Sequence, residues 1–115
     1  MKIYIIGLID HEEMNESCQP FILAERQLKA AGHTPTHLMY EHDWMSDKDF
    51  ETKLRMDKLI ACEAVFVLPG WEHDKIAQHE FALAITMDKK ILFSNDVSHL
   101  PRRIEFNIPL NIKTF

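Results

Sequence analysis

The chain has 115 residues, of which 46% are hydrophobic and 27% charged, a composition typical of a single globular domain spanning residues 1–115. A net charge of −5 with scattered basic residues argues against a nucleic-acid surface, and no apolar run reaches the roughly 20 residues needed to cross a bilayer. The two cysteines have neither metal-site nor redox spacing. We therefore expect a cytoplasmic domain with no cofactor and no membrane or nucleic-acid partner.

The N-terminal third of the chain predicts a strand followed by a helix. The apolar run over residues 3–6 ends at Gly7, which is typical of a buried strand that ends in a tight turn. After a polar loop, a helix is predicted for residues 17–31. Pro20 is expected only in the first turn of that helix, and Gly32 is expected to stop it.

The middle of the chain repeats this alternation. Residues 36–40 are predicted to form the second strand. Ser46 or Asp47 is expected to cap a helix that continues to about Cys62. The run AVFVL over residues 64–68 then predicts a third strand.

The last third predicts one more helix and strand. Pro69 and Gly70 close the third strand, and His73 or Asp74 is expected to open the next helix. Residues 91–93 predict a fourth strand. The tail offers two further candidate strands, residues 104–106 and residues 110–112.

Strands that alternate with long helices predict right-handed crossovers and a parallel sheet. The predicted fold class is α/β, a doubly wound open parallel sheet of about four to five strands. Ligands of such sheets bind beyond the carboxyl ends of the strands, where the strand order reverses. Gly7, Gly70 and the first turn of the third helix are expected at that edge.

Two carboxylates occupy positions that the helical pattern assigns to the interior. Glu80 falls within the apolar arc formed by residues such as Phe81 and Ala84 in the third helix. In the preceding helix, Asp57 falls among Phe50, Leu54, Ile60 and Ala61, which we take as its inward face. A buried unpaired carboxylate costs several kcal/mol. Each acid therefore either has a structural role, at the edge of burial or bonded to a backbone group or a nearby arginine, or contributes to an acidic functional site.

Three further residues have both a structural and a functional interpretation. Asp74 is suited to capping the helix that it opens. Tyr4 is ordinary in a strand, but a buried hydroxyl needs a partner, and a carboxylate at the same sheet edge would provide one. Trp71 would either cover the end of the sheet or a subunit contact, or stack on a base. The seven histidines form no metal-binding motif, so we expect no metal site.

Four segments of the chain resemble the nucleoside 2-deoxyribosyltransferase-like superfamily, and in particular its small bacterial and phage branch of uncharacterised proteins. They are KIYIIG, FILAERQLKAAGHTP, RMDKLIACEAVFVLPGWE and HDKIAQHEFALAI, which together span most of residues 2–93. The resemblance implies a flavodoxin-like or Rossmann-like fold and cleavage or exchange of an N-glycosidic bond. It also implies a homodimer or larger homo-oligomer in which neighbouring subunits complete the sites.

The resemblance also implies roles for individual residues. Glu80 matches the nucleophile that attacks the sugar, Tyr4 the tyrosine that orients this nucleophile, and Asp74 an acid that contacts or protonates the base. Asp57 matches a further acid near the base. We expect substrate-binding positions at Gly7, Asp57, Gly70 and Trp71.

The sequence departs from the superfamily pattern at two places. Ile76 stands where the superfamily has a glycine that allows the backbone to approach the ligand closely, and the segment after Gly7 carries three acids that would repel a phosphate. The expected function is cleavage or transfer at the N-glycosidic bond of a nucleoside or nucleoside monophosphate. The alternative is a nucleotide-binding or sequestering protein that has kept the fold and lost catalysis.

Overall fold

A computed structural model describes residues 1–10, 12–37 and 48–94 of the chain. The four strands found there are all parallel and lie in the order β2-β1-β3-β4. This arrangement confirms the α/β class and the open parallel sheet. The elements in chain order are β1 (Lys2–Ile6), α1 (Met14–Ala30), β2 (Thr34–Thr36), α2 (Lys48–Ile60), β3 (Ala64–Val67), a 3-10 turn (Trp71–His73), α3 (Lys75–Thr86) and β4 (Lys90–Phe93).

The sheet is built around its two central strands, β1 and β3. Tyr4 pairs with Val65 and Ile5 with Phe66, and all four side chains are buried. Burial of both faces explains why these strands are nearly continuous apolar runs in the sequence instead of alternating ones.

The strand order reverses between β1 and β3. The chain moves from β1 to β2 in one direction and then from β2 across β1 to β3 and β4 in the other. Right-handed crossovers therefore place α1 on one face of the sheet, and α2 and α3 together on the opposite face. The packing of α2 against α3 agrees with this. The crevice outside the carboxyl ends of β1 and β3 is the position where ligands bind in such sheets.

The helix α1 begins earlier than expected and contains Pro20 beyond its first turn. The restriction of Pro20 to the first turn was therefore wrong. The helix begins early because the Glu13 amide donates to the Asp10 carbonyl and the Ser17 amide then donates to the Glu13 carbonyl. Pro20 and Glu16 are both exposed, so water can bind the Glu16 carbonyl that Pro20 leaves without a helical donor.

Gly32 ends α1, as the sequence predicted. It has a φ of 89°, a conformation that side chains with a Cβ disfavour. The amide of Gly32 donates to the carbonyl of Lys29, and the amide of His33 donates to that of Leu28. These two bonds are the Schellman pattern, which satisfies carbonyls at the end of a helix.

Several expectations are shifted or lie outside the described ranges. The second strand was expected at residues 36–40, but β2 occupies Thr34–Thr36, where its backbone pairs with β1. Ser46, Asp47 and both candidate strands of the tail lie outside the described residues, so the proposed caps and a fifth strand stay predictions. No helix in the described ranges has the length and apolar character required to cross a membrane.

Gly7 is required by packing on the α1 face of the sheet. A Cβ at this position would lie 2.9 Å from Phe21 Cζ and 3.1 Å from Leu68 Cδ1. We predict that Gly7→Ala lowers the free energy of unfolding by about 1–3 kcal/mol, because extra volume strains a packed core. Urea denaturation measures this change.

Two variants separate crowding from other effects at Gly7. The double variant Gly7→Ala/Phe21→Leu should lose less stability than the sum of its single variants, because the smaller side chain makes room for the new methyl group. In Gly32→Ala the new Cβ would have no heavy atom within 4 Å, so this variant serves as a control that measures only the backbone cost of a positive φ. Strict additivity in the double variant would contradict the crowding explanation.

Candidate functional site

The first turn of α3 is fixed by Asp74, which caps the helix. Asp74 Oδ1 accepts a hydrogen bond from the Ala77 amide at 2.9 Å, and Oδ2 accepts one from the Ile9 amide at 3.0 Å. The capping interpretation of Asp74 is therefore confirmed. The second bond does more than cap, because it ties the loop after β1 to the start of α3 at the carboxyl edge of the sheet.

Glu80 lies fully inside the protein, as the helical pattern predicted. Its side chain has 0% exposure and faces the sheet from the second turn of α3. The Tyr4 hydroxyl, from the middle of β1, donates a hydrogen bond to Glu80 Oε2. The structure thus joins Tyr4 and Glu80, the two residues that the sequence suggested as partners.

Arg55 from α2 completes this cluster, and the sequence interpretation missed it. Arg55 Nη2 donates to Glu80 Oε1 at 2.6 Å, and Nε donates to Oε2 at 3.1 Å. Such a two-pronged pair fixes the carboxylate more firmly than a single bond would. Arg55 is only 2% exposed. A buried carboxylate therefore has a buried cation directly against it.

The buried face of α2 is also different from the one expected. Asp57 is exposed, so its assignment to the inward face was wrong. Phe50 and Ile60, which we took as markers of that face, are 56% and 46% exposed. The buried positions of α2 are Glu51, Arg55 and Leu59, followed by Cys62 just after the helix.

The error has a clear physical source. Glu51 and Arg55 are spaced i, i+4 on α2 and carry opposite charges, a pattern that usually marks a solvated helix face. Here Glu80 on the neighbouring helix pairs with Arg55 and offsets the cost of burying its charge. The spacing of four residues between Glu51, Arg55 and Leu59 was the available sign that they share one face. Hydropathy alone does not identify that face as buried, because two of the three residues are charged.

The remaining nitrogen of Arg55, Nη1, approaches a second carboxylate, that of Glu51 on the same helix. Nη1 lies 3.9 Å from Glu51 Oε1, which is too far for a hydrogen bond but close enough for charge attraction. Glu51 has 0% exposure. Among the described residues Nη1 is buried without a hydrogen-bond acceptor.

The electrostatics of the cluster follow from burial and from these contacts. Burial raises the pKa of Glu80, while the charge and hydrogen bonds of Arg55 and the bond from Tyr4 oppose the shift. Burial, reinforced by the charge of Glu80, raises the pKa of the Tyr4 phenol, so the hydroxyl stays protonated as a donor. Burial lowers the pKa of Arg55, but the adjacent Glu80 charge more than compensates and keeps the guanidinium charged.

Trp71 and Gly70 lie at the carboxyl edge, between β3 and α3. Gly70 has a φ of 92° and ends the loop before the 3-10 turn that carries Trp71. The Trp71 ring stacks on Phe81 with a centroid distance of 4.4 Å, and Phe81 in turn contacts Phe93 at 5.7 Å. This packing supports a covering role for Trp71 at the end of the sheet. Its stacking on a substrate base stays a prediction.

An acidic hollow lies on the α1 side of the same edge. It has a volume of about 270 Å³, and its lining includes Asp10, Glu13 and Glu16 together with the apolar side chains of Phe21 and Leu68. These carboxylates place negative charge beside the switch point of the sheet. No group of three potential metal ligands occurs among the described residues.

Comparison with known protein families assigns the chain to a family. A profile of the domain of unknown function DUF4406 matches residues 1–93. The chain belongs to the DUF4406 family. The matched region ends at Phe93, the last residue of β4, so it contains the whole described sheet.

One solved structure supports the fold assignment of this DUF4406 domain. The chain is similar to the structure of the Clostridium botulinum CMP N-glycosidase BcmB, with a TM-score of 0.56 and 17% sequence identity. The similarity covers 99% of this chain and 81% of the glycosidase. A search of curated proteins found no match. At this level of identity the similarity shows a shared fold.

The buried ion pair gives a testable energetic prediction. Arg55→Met leaves the Glu80 carboxylate without its cation, and Glu80→Leu leaves the Arg55 guanidinium with only the Glu51 carboxylate, 3.9 Å away, as its anion. Arg55→Met should lose about 3–5 kcal/mol of unfolding free energy, because the Glu80 charge is then buried alone. Glu80→Leu should lose less, because Glu51 still faces Arg55. Chemical denaturation of the variants measures these losses.

The double variant Arg55→Met/Glu80→Leu completes the cycle. It should lose less than the sum of the two single variants, since it removes both charges of the Arg55–Glu80 pair together and leaves only Glu51 without the nearby Arg55. Additive losses would show that the two side chains stabilise the fold independently, contrary to the geometry described above.

Proposed function

We propose that this domain cleaves the N-glycosidic bond of a nucleoside or nucleoside monophosphate, with the Glu80 carboxylate as the nucleophile. The observation that carries the proposal is the orientation of Glu80 by Tyr4 and Arg55, beside the switch point between β1 and β3. A carboxylate nucleophile has to be held in one orientation, and it is more reactive when few water molecules surround it. The shared fold with a CMP N-glycosidase supports the same reaction class.

The proposed chemistry has two displacements. A Glu80 oxygen forms a bond to the anomeric carbon while the bond from that carbon to the base nitrogen breaks. The electron pair stays on the base, which takes up a proton. Water, or a second base, then displaces Glu80 from the sugar, gives up a proton to the acid that supplied the first one, and regenerates the Glu80 carboxylate. Two displacements retain the configuration of the sugar.

Asp74 is the candidate proton donor to the departing base. It lies at the carboxyl edge and close enough to Glu80 for its charge to act on that carboxyl group. In the described arrangement both Asp74 oxygens accept backbone hydrogen bonds. To donate a proton to the base, Asp74 must itself be protonated. One of its oxygens, most simply the one that accepts from the Ile9 amide, must then give up that bond, carry the proton and face the substrate.

The proposed substrate site extends along the carboxyl edge. Gly7, Gly70 and Trp71 border it, with Trp71 as the surface on which a base would stack. We leave Asp57 out of this site because its side chain is exposed on α2. The carboxylates of the acidic hollow disfavour a phosphate group by like-charge repulsion. The homo-oligomer implied by the family resemblance would add residues from a second copy.

A second candidate function rests on a specific observation. Glu80 has 0% exposure, and both its oxygens are engaged by Arg55 or Tyr4. A carboxylate held in this way stabilises the fold without reaching a sugar. In that case the domain binds a nucleoside or nucleotide at the same edge and does not turn it over.

Base release distinguishes the two candidates. We predict that the protein liberates free base from at least one member of a panel of ribo- and deoxyribonucleosides and their monophosphates, followed by chromatography. Glu80→Gln should lower the rate by roughly 10³-fold or more, as expected for loss of a nucleophile. The same substitution at the exposed Glu63 is the matched control and should leave the rate unchanged.

The pH dependence of this rate adds a second readout. Only ionised Glu80 is a nucleophile, and burial raises its pKa. The rate should therefore increase with pH through a transition that lies above the ordinary glutamate range. If no substrate releases base while titration calorimetry detects ligand binding, the binding function is the correct one.

Asp74→Asn tests whether this residue is more than a cap. Asparagine retains an oxygen for the Ala77 amide but cannot also accept from the Ile9 amide, so we expect a stability loss of about 1 kcal/mol. If Asp74 protonates the base, kcat should fall by roughly 10²-fold or more. Both quantities are measured well below the melting temperature. An unchanged kcat would leave Asp74 with the capping role alone.

A further inference from the structure

The proposed reaction needs a carboxylate oxygen that the described arrangement does not offer. Glu80 is fully buried, its Oε1 is held by Arg55 Nη2 at 2.6 Å, and its Oε2 receives both Arg55 Nε and the Tyr4 hydroxyl. Attack on a sugar carbon requires one oxygen to be released. The most direct way to release Oε1 is to move the guanidinium of Arg55.

Glu51 provides a destination for that movement. It is fully buried, it lies one turn before Arg55 on α2, and the chemistry proposed for Glu80 does not otherwise use it. Its Oε1 is 3.9 Å from Arg55 Nη1, and that nitrogen is a buried donor without an acceptor among the described residues. A shift of about 1 Å would turn this approach into a charge-assisted hydrogen bond.

We propose that Glu51 is a positioning residue. Arg55 alternates between Glu80 and Glu51, and its movement toward Glu51 releases Glu80 for attack. With Arg55 against Glu80, the carboxylate is locked. With Arg55 displaced toward Glu51, Glu80 keeps the Tyr4 hydrogen bond and regains a free Oε1. Because Glu51 and Arg55 are on the same helix, the exchange requires only torsions of the Arg55 side chain. The catalytic part of this inference rests on the proposed function.

The two-position exchange can be tested without activity. The Nε–H resonance of Arg55 is followed by NMR in protein labelled with ¹⁵N-arginine and is assigned by its loss in Arg55→Lys. Glu51→Gln removes one charged partner and Glu80→Gln removes the other. If Arg55 divides its time between them, the two variants shift this resonance in opposite directions from its wild-type position. A resonance that does not move in Glu51→Gln, or that moves in the same direction in both variants, overturns the proposal.

Kinetics test the consequence for catalysis. Glu51→Gln should lower kcat roughly tenfold with KM changed less than twofold, since Arg55 then stays on Glu80 in the bound complex. A merely structural role for Glu51 would instead lower the melting temperature and leave the kcat of the folded protein unchanged. Glu51→Asp retains the charge at a shorter reach and should give an intermediate kcat. It also provides the comparison if Glu51→Gln does not fold.

The outcomes for this inference and for the proposed function are separable. If the wild-type protein releases no base, the proposed function fails, and the NMR comparison alone decides whether Arg55 has two positions. If the wild-type protein is active but Glu51→Gln has the wild-type kcat, Glu51 is not a positioning residue, and the proposed nucleophile is unaffected.

Discussion

The ion pair between Arg55 and Glu80 is the constraint on which the α2 and α3 side of this domain depends. It joins two helices, and the Tyr4 hydroxyl connects the same carboxylate to the central strand of the sheet. Neither Glu80 nor Arg55 is acceptable in the interior without the other, because a lone buried charge is strongly destabilising. The cluster therefore favours the rotation of α2 that turns Glu51 and Arg55 inward and leaves Phe50 and Ile60 exposed.

The sheet determines where this cluster can act. Reversal of the strand order between β1 and β3 opens a crevice at their carboxyl ends, and α3 begins at that edge. Asp74 connects the loop after β1 to the start of α3 by accepting from both. Loop, helix start and buried carboxylate thus form one connected unit. A change in any one of these contacts therefore affects the others.

Much of the fold and part of the site could be predicted from the sequence. Continuous apolar runs identified the central strands, and helical periodicity placed Glu80 in the interior. The burial of Arg55 could not be predicted in this way, because it depends on a partner on another helix. The same reason explains the error at Asp57, since the expected inward face was based on Phe50 and Ile60, which are exposed. The error at Pro20 has a local reason. The Glu16 carbonyl is exposed, so water can replace the helical hydrogen bond that proline does not donate.

The stacking of Trp71 on Phe81 has a consequence for observing the protein. Phe81 directly follows Glu80 in α3, so any adjustment of this helix that repositions the carboxylate also changes the surface against which the indole rests. The fluorescence of an indole depends on its immediate surroundings. The chain therefore contains an optical reporter adjacent in sequence to its buried carboxylate.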